Sequence, residues 1–444
     1  MRRPALIQPA RVVPAAFLAA VLAGTVLLLL PAATRAEGGA PLITALFTAT
    51  SAVCVTGLAV VDTRTYWSPF GQGVILLLIQ VGGLGLMTGA TLLGLLVSRR
   101  LPLGRRLAAQ METRSVSLGD VREVVRLVLL VTLAVEASVA AVLILQLRFS
   151  YGEPWGAAVW NGVFHAVSAF NNAGFSTYSE GAVRFALDPV VLAPLMLAVI
   201  IGGLGFPVIH ELRREWRTPA AWSIHAKLTI YGSLALLGAG ALATLAAEWR
   251  NPATLGALPP PARVLNALFH SVMTRTAGFN SVDIGALRPE TLLFSDALML
   301  IGGGSAGTAG GIKVTTFFLL GFVVWAEVRG QTDATAFRRR ISTAVQRQAL
   351  AVVLLAVGLV GAATLALLSL TPFPLEPVLF EAVSAFATVG LSTGITDDLP
   401  PAGQLILVSL MYVGRVGTVT VAAALALRTR HTPFRYPEER PLVG

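Results

Sequence analysis

The stretch VSAFNNAGFSTYSEG (167–181) returns 216 residues later as VSAFATVGLSTGITDD (383–398). Each copy joins a short apolar run to a glycine and then to a cluster of hydroxyl residues, which is neither a soluble core pattern nor an unbroken membrane span. The copies extend to GVFHAVSAFNNAGF (162–175) and VLFEAVSAFATVGL (378–391), and two more stand at ALFTATSAVCVTGL (45–58) and ALFHSVMTRTAGF (267–279). Aligned on Phe47, Phe164, Phe269 and Phe380, they place Gly57, Gly174, Gly278 and Gly390 at 10, 10, 9 and 10 residues. A second landmark follows each: VGGLG (81–85), IGGLG (201–205), IGGGS (301–305) and VGRVG (413–417). Its first glycine comes 25, 28, 24 and 24 residues after the earlier one. Two landmarks in register through four copies mark a fourfold internal repeat.

The text around the repeat belongs to a membrane protein. Of 444 residues, 55% are hydrophobic and 13% charged, with mean hydropathy +0.75, far from a soluble domain of this size. Apolar stretches near the length of about 20 residues that crosses a bilayer fall at 12–33, 71–97, 122–147, 190–210, 225–248, 291–328 (interrupted), 347–371 and 404–427. Of 33 basic residues, 23 lie in the N-terminus, 98–126, 211–227, 327–347 and 428–444. The positive-inside rule makes those loops and both termini cytoplasmic. The net charge of +10 is thereby explained without nucleic acid. The first 36 residues imitate a signal peptide, but their apolar run is too long, so the first span is expected to be retained. The single cysteine, Cys54, excludes an internal disulfide or a Cys-cluster metal site and reads as a small buried residue.

Each repeat therefore reads as span, short apolar segment, glycine-centred turn, span. A segment of 12–14 residues cannot cross a bilayer and is expected to be re-entrant. The expected fold class is an all-α integral membrane protein with four membrane-pore-membrane repeats around a central pore, comprising eight transmembrane helices and four re-entrant pore loops. The repeats divide the chain at 1–97, 98–211, 212–328 and 329–428, leaving a cytoplasmic tail at 429–444. Two full spans and one hairpin return the chain to its starting side, so all four repeats share one orientation about an axis normal to the membrane.

Irregular backbone at membrane depth is tolerated only where protein or a water-filled pathway satisfies its polar groups. Four such turns on one axis make a ring of carbonyls, and such rings replace the hydration shell of an alkali cation. The candidate selectivity filter is Val55, Thr56 and Gly57; Asn172, Ala173 and Gly174; Thr276, Ala277 and Gly278; and Thr388, Val389 and Gly390. Its glycines supply φ freedom, and the small or β-branched residues before them leave coordination to the backbone. A helical short segment would aim its partially negative C-terminal end at the axis. Asp62, Glu180, Asp283 and Asp397 follow the glycines by five to seven residues. They read either as an acidic outer vestibule concentrating cations or as ordinary solvated loop acids.

In these motifs the chain resembles the Trk/Ktr/HKT potassium transporter superfamily. VTGLAVVDT, NNAGFS, TRTAGFN and TVGLSTG match that superfamily's four filters in order, and the resemblance covers roughly 12–428. It implies potassium selectivity at the four glycines, since a serine at the first position tends to favour sodium in related proteins. Only one span precedes Gly57, which is similar to the Ktr-type (KtrB-like) membrane subunit rather than to Trk-type subunits with two additional spans. The resemblance further implies a homodimer in the bacterial inner membrane, transport of K+ with Na+ as a possible stimulating ion, no organic cofactor, and a cytoplasmic nucleotide-binding regulatory ring of the KtrA type.

Two of the second landmarks break the pattern. GGGSAGTAGGIKVTT (302–316) interrupts the third repeat with six glycines in ten residues, which cannot hold a straight helix. Gly302, Gly304 and Gly307 spell GxGxxG, but inside a hydrophobic span with no preceding strand this is no dinucleotide site. The segment containing Gly302, Gly303, Gly304, Ser305, Gly307, Gly310, Gly311 and Lys313 is expected to form an intramembrane loop able to obstruct the ion path, as the resemblance also implies. In the fourth repeat Arg415 stands where Gly83, Gly203 and Gly303 stand in the others. An ionisable residue in a span is a functional candidate by default, here a positive barrier below the filter, or else an Arg neutralised by a structural partner. Arg275 is expected to brace the filter from behind, against Asp296 or Glu381, and Glu136 to be a structural hydrogen-bonding group. An intramembrane enzyme is disfavoured, because His210-Glu211 lacks the second zincin histidine and the five histidines show no ligand spacing. A permease for another cation or small solute is the remaining alternative.

Overall fold

Four helices in the computed structural model, which describes residues 9–99 and 121–417, are long and apolar enough to cross a membrane. They contain the stretches Pro69–Gly89, Val125–Phe149, Ile224–Glu248 and Thr343–Leu370. In chain order the α-helices are α1 (Pro9–Leu28), α2 (Leu42–Val53), α3 (Pro69–Arg99), α4 (Val121–Phe149), α5 (Trp155–Phe170), α6 (Pro189–Leu204) and α7 (Phe206–Glu215). They continue with α8 (Ile224–Glu248), α9 (Pro260–Met273), α10 (Pro289–Leu300), α11 (Val314–Val328), α12 (Thr343–Leu370), α13 (Leu375–Ala387) and α14 (Pro401–Tyr412), which runs into a π-helical turn at Val413–Gly417. Proline opens many of them: it is the first residue of α3, α6, α9, α10 and α14 and the residue before α2, α5 and α13. At those positions the ring removes a backbone donor that would be unpaired anyway and presets the helical φ. Asp188 adds a side-chain cap to α6, accepting the Val190 N–H at 2.8 Å.

After α1, α4, α8 and α12 comes in each case a short helix, α2, α5, α9 or α13, whose length of 12–16 residues falls short of a bilayer crossing. The short helices form the centre of the molecule. The four aligned phenylalanines, Phe47, Phe164, Phe269 and Phe380, are fully buried, while the long helices turn apolar side chains such as Leu234, Leu242, Leu354 and Leu365 outward, as lipid-facing surfaces require.

The second-landmark glycines set how closely the following helix packs on this centre. A Cβ on Gly82, Gly202 or Gly414 would lie 2.0, 2.0 or 1.7 Å from the carbonyl oxygen of Val53, Phe170 or Phe386. Each of those carbonyls lies at or next to the C-terminal residue of the short helix before it. The recurrence of this glycine is thus a packing requirement between the two helices of one unit.

Two details depart from the sequence expectation. The apolar stretch 190–210 is not one straight span: α6 and α7 meet at 97°. Gly205 (φ 88°, ψ 143°) makes the corner, Pro207 stands in the first turn of the new helix, and a Cβ at Gly205 would strike the Ser305 carbonyl at 2.3 Å. Between α11 and α12 a small antiparallel hairpin, β1 (Thr335–Ala336) with β2 (Arg339–Arg340), turns through Phe337 and Arg338 at positive φ. The expected 291–328 interruption is present as the break between α10 and α11. Much of the basic 98–126 segment, the end of the 404–427 stretch and the 429–444 tail lie outside the described residues.

Candidate functional site

Each of three short helices closes in the same way. Beyond α2, the Val55 N–H donates to the Ala52 carbonyl (3.1 Å) and the Thr56 N–H to the Ser51 carbonyl (2.8 Å). Beyond α5, Asn172 and Ala173 repeat these bonds onto Ala169 and Ser168 at 3.0 and 2.7 Å, and beyond α13, Thr388 and Val389 repeat them onto Ala385 and Ser384 at 3.2 and 2.9 Å. This is the Schellman closure, which needs one residue in the left-handed region. Val55 (φ 56°), Asn172 (61°) and Thr388 (51°) occupy it although none is glycine. For a β-branched residue such a φ is an outlier that the surroundings must enforce. After α9 the loop is one residue shorter from its phenylalanine and closes by Ala277 N–H to Met273 (3.0 Å), with Thr276 at φ 74°.

Two residues later the backbone returns to the left-handed side at Gly57 (94°), Gly174 (70°), Gly278 (73°) and Gly390 (93°), with Thr56, Ala173, Ala277 and Val389 on the negative side between. Positive and negative φ thus alternate through each loop. The four loops also form a closed ring. A Cβ on Gly57 would lie 2.3 Å from the Ala173 carbonyl, one on Gly174 2.8 Å from that of Ala277, one on Gly278 2.4 Å from that of Val389, and one on Gly390 2.1 Å from that of Thr56. Each glycine thus abuts the carbonyl just before the next glycine, and the fourth abuts the first. All twelve residues singled out from the sequence are brought together in this ring.

Serines behind the ring hold it, and sequence reasoning missed them. Ser51 accepts the Gly57 N–H and Ser384 the Gly390 N–H, both at 3.1 Å, while Ser168 donates to the Phe175 carbonyl at 2.8 Å. All three stand six residues before their glycine, so the recurrence of that hydroxyl was the available signal.

The 301–313 segment is folded against the residues that precede the ring and against the landmark of α6. Ile301 pairs with Ile312, Gly302 N–H donates to Ile312 O (2.8 Å) and Val314 N–H to Gly303 O (3.1 Å). Gly304 and Thr308 donate to the carbonyls of Gly203 (2.8 Å) and Gly202 (3.1 Å). A Cβ on Gly302, Gly304 or Gly310 would come within 2.0–2.1 Å of Gly310 O, Leu204 O or Thr388 Oγ1, respectively. Thr308 Oγ1 also reaches Asn172 Oδ1 at 2.9 Å. The segment therefore packs its backbone against the landmark of α6 and against the Ala387 carbonyl and Thr388 hydroxyl before Val389. Lys313 Nζ bonds the Ala309 carbonyl.

Arg415 is 1% exposed and donates through Nη1 to the Thr308 carbonyl, while Nε and Nη2 face no protein acceptor among the described residues. The loop and the arginine thus meet. None of the three ion pairs among the described residues involves Arg275, Lys313 or Arg415. Arg275 does not pair with Asp296 or Glu381 as expected. Its guanidinium donates to the Ser233 carbonyl (3.2 Å) and to the Gly302 carbonyl (2.8 Å), where it links the third loop of the ring to the start of the 301–313 segment. Glu136 accepts from Gln80 (3.2 Å) and Asn171 (3.1 Å), joining α4, α3 and the end of α5.

The four acids beyond the ring differ among themselves. Asp62 accepts the N–H groups of Arg64 and Thr65 at 2.8 Å and caps its own turn. Burial opposes its ionisation, but those bonds and the hydroxyls of Ser179 and Thr65 hold its carboxyl below the ordinary value. Asp283 caps Gly285 at 2.9 Å but remains exposed, as do Glu180 and Asp397.

The chain matches the family described as TrkH, cation transport protein, over residues 11–430. It is 38% identical over 438 residues to the Ktr system potassium uptake protein B of Bacillus subtilis (strain 168), covering 98% of this chain and 97% of that one. The protein of the same name from Vibrio alginolyticus is 36% identical, with 98% and 94% covered, and the potassium/sodium uptake protein NtpJ of Enterococcus hirae is 34% identical, with 99% and 98% covered. In fold the chain is similar to the crystal structure of the potassium transporter TrkH from Vibrio parahaemolyticus, with a TM-score of 0.71 at 15% identity over 97% of this chain and 87% of that one.

Proposed function

The chain belongs to the TrkH family of cation transport proteins, and from that premise we propose that it is the ion-translocating membrane subunit of a potassium uptake system. The observation that carries the reading is the closed ring of four glycine loops, whose backbone carbonyls can replace the water around K+. Val55, Thr56 and Gly57 with their counterparts form the filter, and K+ is held by backbone oxygens alone.

Around it the chain is organised as four repeats with the boundaries 1–97, 98–211, 212–328 and 329–428. The eight spans are α1, α3, α4, α6, α8, α10 continued by α11, α12 and the span that begins with α14. The short helices α2, α5, α9 and α13 with their loops are the four re-entrant elements. Breaks at Gly205 and at 301–313 account for spans that do not register as single long helices.

The 301–313 loop and Arg415 form the gate. Their contact at the Thr308 carbonyl ties a buried positive charge to the segment that has to move, and a guanidinium without a carboxylate partner opposes a cation below the ring. Glu180, Asp283 and Asp397 supply an acidic outer mouth, whereas Asp62 serves its own turn. The relatives named as Ktr proteins support a multi-component system. In that reading the chain forms a homodimer in the bacterial inner membrane, both termini are cytoplasmic, and a KtrA-type nucleotide-binding ring docks on the basic cytoplasmic loops. The name of the Enterococcus relative makes Na+ a second ion to be tested. Rubidium uptake by potassium-starved cells that lack their own uptake systems tests the proposal. Cells expressing this chain with its partner should accumulate Rb+ that external K+ displaces, and failure to do so when the protein is in the membrane would overturn it.

A further inference from the structure

Two serines just outside the ring are held in matching networks. Ser392, two residues after Gly390, donates its hydroxyl to Glu381 and accepts the Gly394 N–H at 2.9 Å. Ser176, two residues after Gly174, lies 3.0 Å from His165 Nε2 and accepts the Tyr178 N–H at 2.9 Å. His165 Nδ1 faces the Asn161 carbonyl at 2.7 Å, so that nitrogen carries the proton and Nε2 is left to accept from the serine. Glu381 and His165 are equivalent by position, each following the aligned phenylalanine, Phe380 or Phe164. They differ in chemistry, and what they share is an acceptor on the short helix aimed at the same hydroxyl beyond the ring. Glu381 is fully buried and also accepts from the Thr393 N–H (3.1 Å) and Thr396 Oγ1 (2.9 Å).

The other two loops lack this link. Gly57 is followed two residues later by Ala59, and Thr48, the residue after Phe47, has a buried hydroxyl with no hydrogen-bond partner. In the third loop the serine position is Asn280, and His270 bonds Ser295 on α10 instead, at 3.0 Å. The ring runs Gly57, Gly174, Gly278, Gly390, so the linked loops stand diagonally across it.

We propose that Ser392 with Glu381 and Ser176 with His165 are two diagonal clamps that fix the outer mouth of the ring and set its preference for potassium over sodium without touching the ion. The inference rests on the proposed function. Each serine directly follows the first residue beyond the ring glycine, Leu391 or Phe175. Tethering the serine to the short helix fixes that peptide's distance from the axis. A mouth held open on one diagonal cannot contract onto the smaller ion, whereas an untethered one can.

The test is rubidium uptake by the full chain with its regulatory partner, read as the sodium concentration that halves uptake. Ser392→Ala and Ser176→Ala should each lower that concentration by about two- to tenfold, the range expected for one hydrogen bond. Ser392→Thr, which keeps the hydroxyl, should restore it. Glu381→Gln keeps an acceptor oxygen and should stay within about twofold of wild type, and Ser392→Ala in a Glu381→Ala background should add no further loss. Membrane abundance and thermal unfolding in detergent are measured alongside, because a merely structural role would move those and leave the sodium sensitivity alone. Alanine variants that insert and show wild-type sodium sensitivity overturn the clamps and leave the transport reading standing. A wild-type protein that takes up no rubidium overturns both.

Discussion

Replacing Gly57 by serine concentrates the consequences of the ring in one position. The residue holds φ 94°, and its Cβ would lie 2.3 Å from the Ala173 carbonyl oxygen and 3.2 Å from the Gly174 Cα, where ordinary contact begins near 3.4 Å. A left-handed backbone costs an L side chain about 1–2 kcal/mol, and relieving the contact requires the Ala173 carbonyl to retreat by roughly 1 Å. That carbonyl belongs to the neighbouring loop, so the change distorts two of the four loops at once. If the strain is released by withdrawing one oxygen from the ion, discrimination between K+ and Na+ falls by about 5–30-fold, the factor equivalent to one or two kcal/mol. Competition uptake, with labelled Rb+ against rising Na+ in potassium-starved cells, reads that factor directly. Gly358→Ala on α12 is the control, since a Cβ there meets nothing within 4 Å and should change nothing. A Gly57→Ser protein that reaches wild-type membrane levels with wild-type discrimination would refute the argument from the ring.

Deleting 304–310 should raise potassium flux in proteoliposomes and loosen its dependence on the regulatory partner. Arg415→Ala should raise flux on the order of tenfold, since each 1.36 kcal/mol removed from a barrier is a factor of ten. Because Arg415 donates to the loop at Thr308, the combined variant should fall short of the product of the two effects. Gly414→Ala should act on folding rather than selectivity: its Cβ would stand 1.7 Å from the Phe386 carbonyl, so reduced membrane abundance with unaltered K+/Na+ preference in the remainder is expected. Native mass spectrometry in mild detergent should find a dimer, the default closed symmetry for such a subunit, and monomers alone would count against the assembly.

What could be read from the sequence, and what could not, divides along a physical line. Gly57, Gly174, Gly278 and Gly390 announced themselves because a position that requires positive φ beside a neighbouring carbonyl tolerates little else. The 302–311 glycines did so because they destroy a helix. Val55, Asn172, Thr276 and Thr388 also lie at positive φ, but ordinary side chains conceal it, and only the way the short helices close, by the Schellman pattern in three of the four, reveals the strain. The bend at Gly205 was hidden in a uniformly apolar stretch, since hydropathy carries no information on direction. Arg275 was expected to brace the ring and was given acidic partners on charge alone. Two carbonyls and the Ser233 hydroxyl take its guanidinium instead, and a backbone oxygen has no signature in a sequence.

The second landmark gives the same lesson a functional turn. In three units its first glycine lets the outgoing helix rest on the carbonyl at the end of the short helix: Val53 for Gly82, Phe170 for Gly202 and Phe386 for Gly414. In the third unit Gly302 rests instead on Gly310, a residue of the loop itself, and Gly310 in turn abuts Thr388 in the fourth unit's loop. The loop has therefore taken the place of a helix-on-helix contact and passed that contact on to the neighbouring unit. Arg415 completes the substitution, because the position that is glycine in the other units is here a side chain long enough to reach Thr308. The segment is held by close backbone contacts and two buried guanidinia, Arg275 on Gly302 and Arg415 on Thr308, and it belongs to neither helix, since α10 ends before it and α11 begins after it. In the proposed reading the packing shared by the other units holds the ring, and the one unit that breaks the packing rule supplies the gate.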